Sequence, residues 1–313
     1  MNQPTLSIIV ISYNTRDMTL ECLRSVAVET RSPYELIVID NASTDGSAAA
    51  IAAEFPDIRL LAETENHGFA KANNIAAKLA VGDYILLLNP DTVVLDGALD
   101  RLLAFAHRRP DARIWGGRTL FKDKSLNPAS CWRRMSLWGL FCNAVFLSRI
   151  FSQSAFFNPE AYGGWDRSTE REVDIVTGCL FLLRRIDWVA LDGFDLTFFM
   201  YGEEADLCFR ARALGARPRV TPDAEIIHYG GASETVRADK MVRLLRAKRE
   251  LIKRHFPRWQ KPLAALLFTS GPLSRYIALS LAKPVVRSES LKNAAQAWKE
   301  VWARRAEWRN GFG

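Results

Sequence analysis

Five short apolar runs recur between helix-patterned stretches over roughly the first 120 residues: LSIIVIS (6–12), YELIVID (34–40), IRLL (58–61), YILLLN (84–89) and RIWGG (113–117). This alternation constrains the fold more than any single motif. β-Branched runs of this length are expected to be buried strands. The intervening segments carry helix signals. Thr15 is placed to cap a helix running to about Glu29, and the Asn41-Ala-Ser-Thr-Asp-Gly46 cluster precedes one ending near Phe55. Asn66-His-Gly-Phe opens a helix through Leu79, and Asp96 is placed to cap one through His107. Strands and helices in this order predict an α/β fold with a mostly parallel sheet. Near-continuous apolar strands predict that both sheet faces are covered.

The 313 residues suffice for one large or two modest domains. Apolar residues at 49% and charged residues at 25% exclude a disordered, collagenous or coiled-coil chain. Cys22, Cys131, Cys142, Cys179 and Cys208 form no C-x-x-C pair, so neither a structural zinc site nor a disulfide scaffold is expected. The first residues lack a basic segment followed by a long apolar one, so a reducing, cytoplasmic setting is expected. The charge of +7 is uneven. Residues 1–239 hold 25 Lys and Arg against 31 Asp and Glu, whereas residues 240–313 hold 17 against 4. The boundary is therefore expected near residue 239, with an acidic body and a basic tail that suits an anionic partner.

In such sheets ligands sit beyond the carboxyl ends of the strands. The residues there are Ser12-Tyr13-Asn14, Asp40-Asn41, Asn66 with Gly68, and Asn89-Pro90-Asp91. The edge is polar, acidic and poor in glycine. SYNTRD follows the first strand, so a glycine-rich phosphate cradle is absent. Any bound diphosphate must be neutralised otherwise. Asn89 and Asp91, one residue apart, suit a hard divalent cation; equally, Asp91 serves an Asx turn. DIVTGCLFLLRR (174–185) is expected to be a strand pair. Glu203, Glu204 and Asp206 begin a helix to about Leu214, where carboxylates complement the helix dipole. The aromatic stretch FDLTFFMYG before them would also desolvate a carboxylate and suit it to act as a base. A strand in AEIIHYGGAS delivers His228, which is either structural or a ligand.

Taken in order, SIIVISYN (7–14), VIDNASTDGS (38–47), NHGFAKANN (66–74), LLLNPDT (86–92), TGCLFLLRR (177–185), GFDLTFFMYGEEADLCFRARALG (193–215) and HYGGAS (228–233) resemble the family-2 glycosyltransferases of GT-A fold. The resemblance spans about 6–235 and is greatest to bacterial rhamnosyltransferases. It implies an inverting, metal-dependent transfer of a sugar from a nucleotide-diphosphate donor. By that resemblance Asp40 contacts the pyrimidine base, and Ser12, Tyr13, Asn14, Asn66 and Gly68 belong to the donor site. Asn89 and Asp91 match a D-x-D metal motif with asparagine first, and His228 completes the metal site for Mg2+ or Mn2+. Gly178 matches an acceptor-facing segment, with Trp165 and Asp206 assigned to the same side. Glu203-Glu204 matches a Glu-Asp pair whose second member is the base, so the choice between Glu204 and Glu203 stays open. The implied sugar is rhamnose from dTDP-rhamnose, with a UDP-sugar as the alternative donor.

The tail adds a further expectation. PLAALLFTSGPLSRYIALSLA (262–282) nearly suits a membrane span, but Gly271-Pro272 and Arg275 favour two short interfacial pieces. Leu291, Ala295, Trp298 and Trp302 share a helical face, as in an in-plane helix on anionic lipid; packing of those tryptophans on the body is the other reading. MSLWGLFCNAVFL (135–147) borders an acceptor site or is core. The expected partners are thus a nucleotide sugar, a saccharide or polyprenyl-diphosphate-linked acceptor, and the inner membrane surface, where the protein would sit peripherally. A nucleotidyltransferase would want a basic glycine loop after the first strand. Nucleic-acid binding is disfavoured because the tail's bases are interleaved with apolar residues. A non-catalytic sugar-nucleotide-binding protein remains a rival.

Overall fold

The computed structural model describes residues 4–230, 237–282 and 289–312. Its contacts form two compact units, Met1–Trp132 with Asp166–Ser233, and Arg133–Trp165 with Glu234–Gly313. Residues 133–165 thus group with the tail, whereas the charge boundary near 239 assigned them to the body.

The first unit begins with β1 (Leu6–Ser12), α1 (Arg16–Glu29), β2 (Tyr34–Asp40), α2 (Ser47–Glu54), β3 (Arg59–Ala62), α3 (Gly68–Ala77) and β4 (Tyr84–Leu88). It continues with β5 (Thr92–Val94), α4 (Ala98–Arg108), β6 (Ile114–Leu120), β7 (Leu126–Asn127) and β8 (Cys131–Trp132). The second unit inserts α5 (Leu137–Ala144) and α6 (Leu147–Ile150). The first unit resumes with β9 (Arg171–Glu172), β10 (Ile175–Val176), β11 (Leu180–Arg184), α7 (Arg185–Ala190), α8 (Glu203–Ala213) and β12 (Arg219–His228).

The main sheet runs β3-β2-β1-β4-β11-β6-β12-β5. β3, β2, β1 and β4 are mutually parallel, and β11 enters antiparallel between β4 and β6. β12 then lies parallel to β6. This is the expected mixed, mostly parallel α/β sheet. Both faces are covered, as the apolar strands require. Ile8 and Val10 join a core with Leu23, Leu102, Phe105 and Trp115, while Ile9 and Ile11 are buried from the other side. The 174–185 strands differ from expectation. β10 pairs with β8 in a separate two-stranded sheet, so it is not the partner of β11.

Two helix starts also differ. Thr15 is the N-cap of α1, yet its hydroxyl makes no capping bond and instead meets those of Ser12 and Thr19. α4 is capped by Gly97 rather than by Asp96. Gly97 sits at φ +68°, a region glycine enters without steric penalty.

In the second unit α9 (Arg237–His255), α10 (Lys261–Ala282), α11 (Glu289–Ala303) and α12 (Arg305–Trp308) join α5 and α6. α10 is one 22-residue helix that contains Pro272, so the two-piece expectation fails. A proline inside a helix costs about 3 kcal/mol. Packing on α5 offsets this, and Gly271 permits the approach, since a Cβ there would lie 3.2 Å from Asn143 Oδ1. Among the described residues no helix is long and apolar enough to cross a membrane. Three of the tail's four tryptophans pack inward: Trp308 is fully buried with Val301, Phe268 and Ile252, Trp298 and Trp302 lie against that core, and Trp259 is exposed. Trp298 and Trp302 of the α11 stripe thus lie against the core of their own unit, whereas Leu291 is 40% exposed.

Trp308→Ala tests this packing. It removes a fully buried ring whose indole N–H donates to Val301 O at 3.0 Å. Urea unfolding is expected to show a loss of about 3–5 kcal/mol, the range for large core truncations. An unchanged midpoint would mean that Trp308 is not a core residue.

Candidate functional site

The register of the strands sets one functional edge. Ser12 lies opposite Asp40, and Val10 opposite Leu88, so Asp40 and Asn89 leave the sheet on the same side. β11 runs the other way and begins at Leu180 opposite Leu88, which brings Gly178 and Cys179 to that edge. β12 ends there with His228 opposite Thr92.

Asn89, Asp91 and His228 meet at this edge although 139 residues separate the first from the last. His228 Nε2 is 3.4 Å from Asp91 Oδ1 and 3.3 Å from Asn89 Nδ2. Asp91 is 7% exposed, and its carbonyl accepts from Tyr229 N at 3.0 Å. Burial opposes a charge on the imidazole, but the adjacent Cys179 sulfur and the Asp91 carboxylate prevail and raise His228 to about 10. A cation bound here would displace that proton. One carboxylate, one imidazole and an amide fit a hard divalent ion that takes its remaining ligands from a diphosphate. A half-turn of the Asn89 amide would offer its oxygen. Among the described residues no three His, Cys, Asp or Glu side chains gather as a metal cage.

Glu203 and Glu204 open α8 after Gly202. Glu203 is 3% exposed. Burial and the charge of Glu204 push its carboxyl well above the ordinary glutamate range. Burial raises Glu204 as well, but backbone N–H groups of the helix start and Glu203 itself favour its charged form. Two adjacent carboxyls that cannot both ionise divide the roles. Both carboxyls are raised, Glu203 the more. Oε2 of each has no hydrogen-bond partner.

The other predicted residues sort by placement. Asp40 is 2% exposed; its Oδ2 accepts from Ser43 N at 3.1 Å, while the buried Oδ1 has no partner. Tyr13 is exposed. Asn14, at φ +52°, joins the first two strand ends: its N–H donates to Ser43 Oγ and its Oδ1 accepts from Thr44 N. Ser12 is fully buried, its hydroxyl 3.0 Å from that of Thr19. Asn66 Oδ1 accepts from Gly68 N at 2.8 Å and from the Asn41 amide at 3.0 Å. Asp206 is 1% exposed and paired with Arg210 at 2.7 Å, so its carboxylate is engaged inside the fold. Gly178 is buried with the Phe69 ring above it, 3.2 Å from where a Cβ would lie. Trp165 lies in the second unit, edge-on to Tyr162. Gly231–Ser233 fall outside the described residues.

Sequence reasoning placed Asn41 at the edge but gave no role to Phe199 or Cys179. Phe199 O accepts from Phe69 N at 2.8 Å, and Asn74 bonds both backbone groups of Phe194. The segment leading to Glu203 is thereby fixed on the start of α3. Gly68 permits this at φ +73°, since a Cβ would come 2.4 Å from Phe199 O. The only sequence signal was the isolated glycine at the helix start.

Residues 7–186 match the family "Glycosyl transferase family 2". The chain is 30% identical over 236 residues to the N-acetylglucosaminyl-diphospho-decaprenol L-rhamnosyltransferase of Mycobacterium tuberculosis, covering 72% of this chain and 76% of that one. It is 27% identical over 235 residues to the rhamnosyltransferase WbbL of Escherichia coli K12, covering 71% and 82%. Its fold is similar to that of the mannosyltransferase PcManGT of Pyrobaculum calidifontis, solved with GDP-Man and Mn2+. That match has a TM-score of 0.59 at 18% identity and covers 98% of this chain and 88% of the other. The chain belongs to glycosyl transferase family 2 and is a glycosyltransferase.

Proposed function

We propose that this protein transfers rhamnose, from dTDP-rhamnose, to a hydroxyl of a saccharide carried on a polyprenyl diphosphate, with inversion at the anomeric carbon. The observation that carries this reading is the set of buried polar atoms without partners. Asp40 Oδ1, Glu203 Oε2, Glu204 Oε2 and His228 Nδ1 all belong to residues singled out for the site. They are four of the eleven such atoms among the described residues; buried polar groups are ordinarily satisfied, so four on one candidate site suit a bound ligand. The rhamnosyl choice and the lipid carrier rest on the two rhamnosyltransferase relatives.

In this reading Asp40 accepts from the pyrimidine N–H, and Tyr13, Asn14 and Asn66 line the nucleotide. Asp91, His228 and Asn89 would hold Mg2+ or Mn2+, which when bound spreads the charge of the departing diphosphate. Glu204 takes the proton of the acceptor hydroxyl as it attacks the face opposite the nucleotide. Glu203, neutral, leaves Glu204 as the single anion of the pair. The protein's main contribution is to align donor and acceptor. A lipid-linked acceptor would place the enzyme peripherally at the inner face of the membrane. The catalytic unit would correspond to residues 1–239 of the charge division, less the inserted segment.

Two measurements test this. Purified protein incubated with dTDP-, UDP- and GDP-sugars is expected to release nucleoside diphosphate from one donor in a metal-dependent way. Asp91→Ala should slow that release about 100-fold or more, because several kcal/mol of charge stabilisation are lost. Release equal to wild type in Asp91→Ala would remove Asp91 from the site.

The pH profile tests the carboxyl pair. With Glu204 raised, kcat/KM should fall with acid through a value above the ordinary ~4.3 of glutamate, because the base is lost as it protonates. Glu204→Gln should lower kcat by about 10²–10⁴-fold and remove that limb. Glu203→Gln, which mimics the neutral carboxyl, should keep most activity. The reverse pattern would make Glu203 the base.

A further inference from the structure

The second unit contains a cavity of about 160 Å³ between α5, α9, α10 and α11. Its wall mixes apolar side chains, Leu140, Met241, Leu245, Phe268 and Trp298 among them, with Asn143, Glu160, Lys248 and Arg275. Two cations reach it. Lys248 is already neutralised by a close ion pair with Glu160. Arg275 is not. It is half-buried, and its guanidinium lies 5.4 Å from the Phe146 ring and 5.5 Å from that of Trp298. Its hydrogen bonds all leave from Nη1, to Asn143 O at 3.2 Å and Gly271 O at 2.9 Å. Among the described residues Nε and Nη2 have no acceptor, and no carboxylate pairs with Arg275. Burial pushes the guanidinium down from its ordinary value, and the nearby charge of Arg149, itself exposed, adds to this. A half-buried guanidinium with a second arginine near it and no carboxylate partner among the described residues lacks an anion.

The same unit exposes an aromatic cluster. Trp138 and Phe156 are 4.9 Å apart and Trp138 and Phe141 5.6 Å, with Phe156 63% exposed. Trp138 spends its indole N–H on Phe156 O at 2.7 Å, so the cluster presents little but carbon to solvent. Contiguous exposed apolar surface on a folded protein marks an interaction site, and aromatic rings beside cations suit the interface of a bilayer. α5 joins the two features. It carries Trp138 and Phe141 on one side and Leu140 in the cavity wall, and it leads directly into Phe146 beneath Arg275.

We propose that the second unit holds a lipid bearing a phosphate head: Arg275, backed by Arg149, takes the phosphate, the cavity takes the adjoining stretch of apolar chain, and the Trp138 cluster rests in the bilayer interface. The cavity is smaller than the roughly 300–1,000 Å³ that encloses a drug-sized ligand, so it receives a segment and leaves the rest of the chain in the membrane. The guanidinium is the donor suited to such a head, because its planar fork matches phosphate oxygens. That the lipid is the isoprenoid carrier of the acceptor rests on the function proposed above; the anionic head and apolar chain rest on this unit alone.

The test is co-sedimentation of the full-length protein with vesicles. Four conditions are compared: phosphatidylcholine alone, phosphatidylcholine with a polyprenyl monophosphate lacking any saccharide, phosphatidylcholine with an equal fraction of phosphatidylglycerol, and the second with excess inorganic phosphate in solution. Wild type is expected to prefer the polyprenyl phosphate vesicles over both other compositions and to stay bound in inorganic phosphate. Arg275→Gln should weaken that preference about tenfold, the scale of one charge-assisted contact. Arg149→Gln, at an exposed position, should weaken it less and keeps the test valid if Arg275→Gln fails to fold. Phe156→Ser should weaken binding to every vesicle. Equal retention on phosphatidylglycerol would reduce the site to general charge and overturn the proposal. So would release by inorganic phosphate, wild-type retention in both arginine variants, or a dimer abolished by Phe156→Ser in a protein that ignores vesicles. Donor release by the wild type is measured on the same preparation. Release without lipid preference overturns this inference alone, and lipid preference without release overturns only the donor-site reading.

Discussion

A strand buried on both faces must be paired along both edges and covered by helices above and below. β1 and β4 are such strands, and the rest of the first unit is arranged around them. Their parallel register brings Asp40, Asn89 and the end of β1 to one edge. The antiparallel entry of β11 next to β4 brings Gly178 and Cys179 to the same edge. His228 arrives by the parallel course of β12. Chemistry collects where backbone hydrogen bonding stops.

At that edge the electrostatics follow from burial. Glu203 and Glu204 are removed from water beside each other, which makes a doubly ionised pair costly and raises both carboxyls. Asp91 and His228 sit as unlike partners, and the Asp91 carboxylate favours the charged imidazole. Backbone bonds hold the two groups in relation to the fold. Phe199 and Phe194 fix the approach to α8 on α3, and the Tyr229 N–H fixes the loop of Asp91. The aromatic stretch FDLTFFMYG thus has a positioning role as well as a desolvating one.

The second unit shows how charge and apolar periodicity can mislead when taken from a linear sequence. Many of the basic side chains of the tail are matched by acidic ones within the unit: Lys248 by Glu160, Arg254 by Glu250, and Arg304 by Asp239 and Glu307. The tryptophan stripe of α11 is matched by α9 and α10. Arg275 has no such ion pair among the described residues, and the exposed rings of 138–156 lie in a segment that sequence reasoning placed with the other unit.

The sequence by itself determined the alternation of the first strands and helices and the edge at which Asp40, Asn89 and His228 end their strands. These depend on local apolar periodicity and on motifs that stay contiguous. Only the tertiary structure decided how those residues are used. Thr15 and Asp96 were legible as caps, but a cap depends on φ, and Gly97 holds the left-handed position. Asp206 was legible as an acid, but its ion pair with Arg210 appears only once α8 is wound. Gly271-Pro272 was legible as a break, but packing against α5 outweighs a local helix penalty. The meeting of Asn89 with His228 spans 139 residues, a separation at which no local rule applies and only strand order sets the distance.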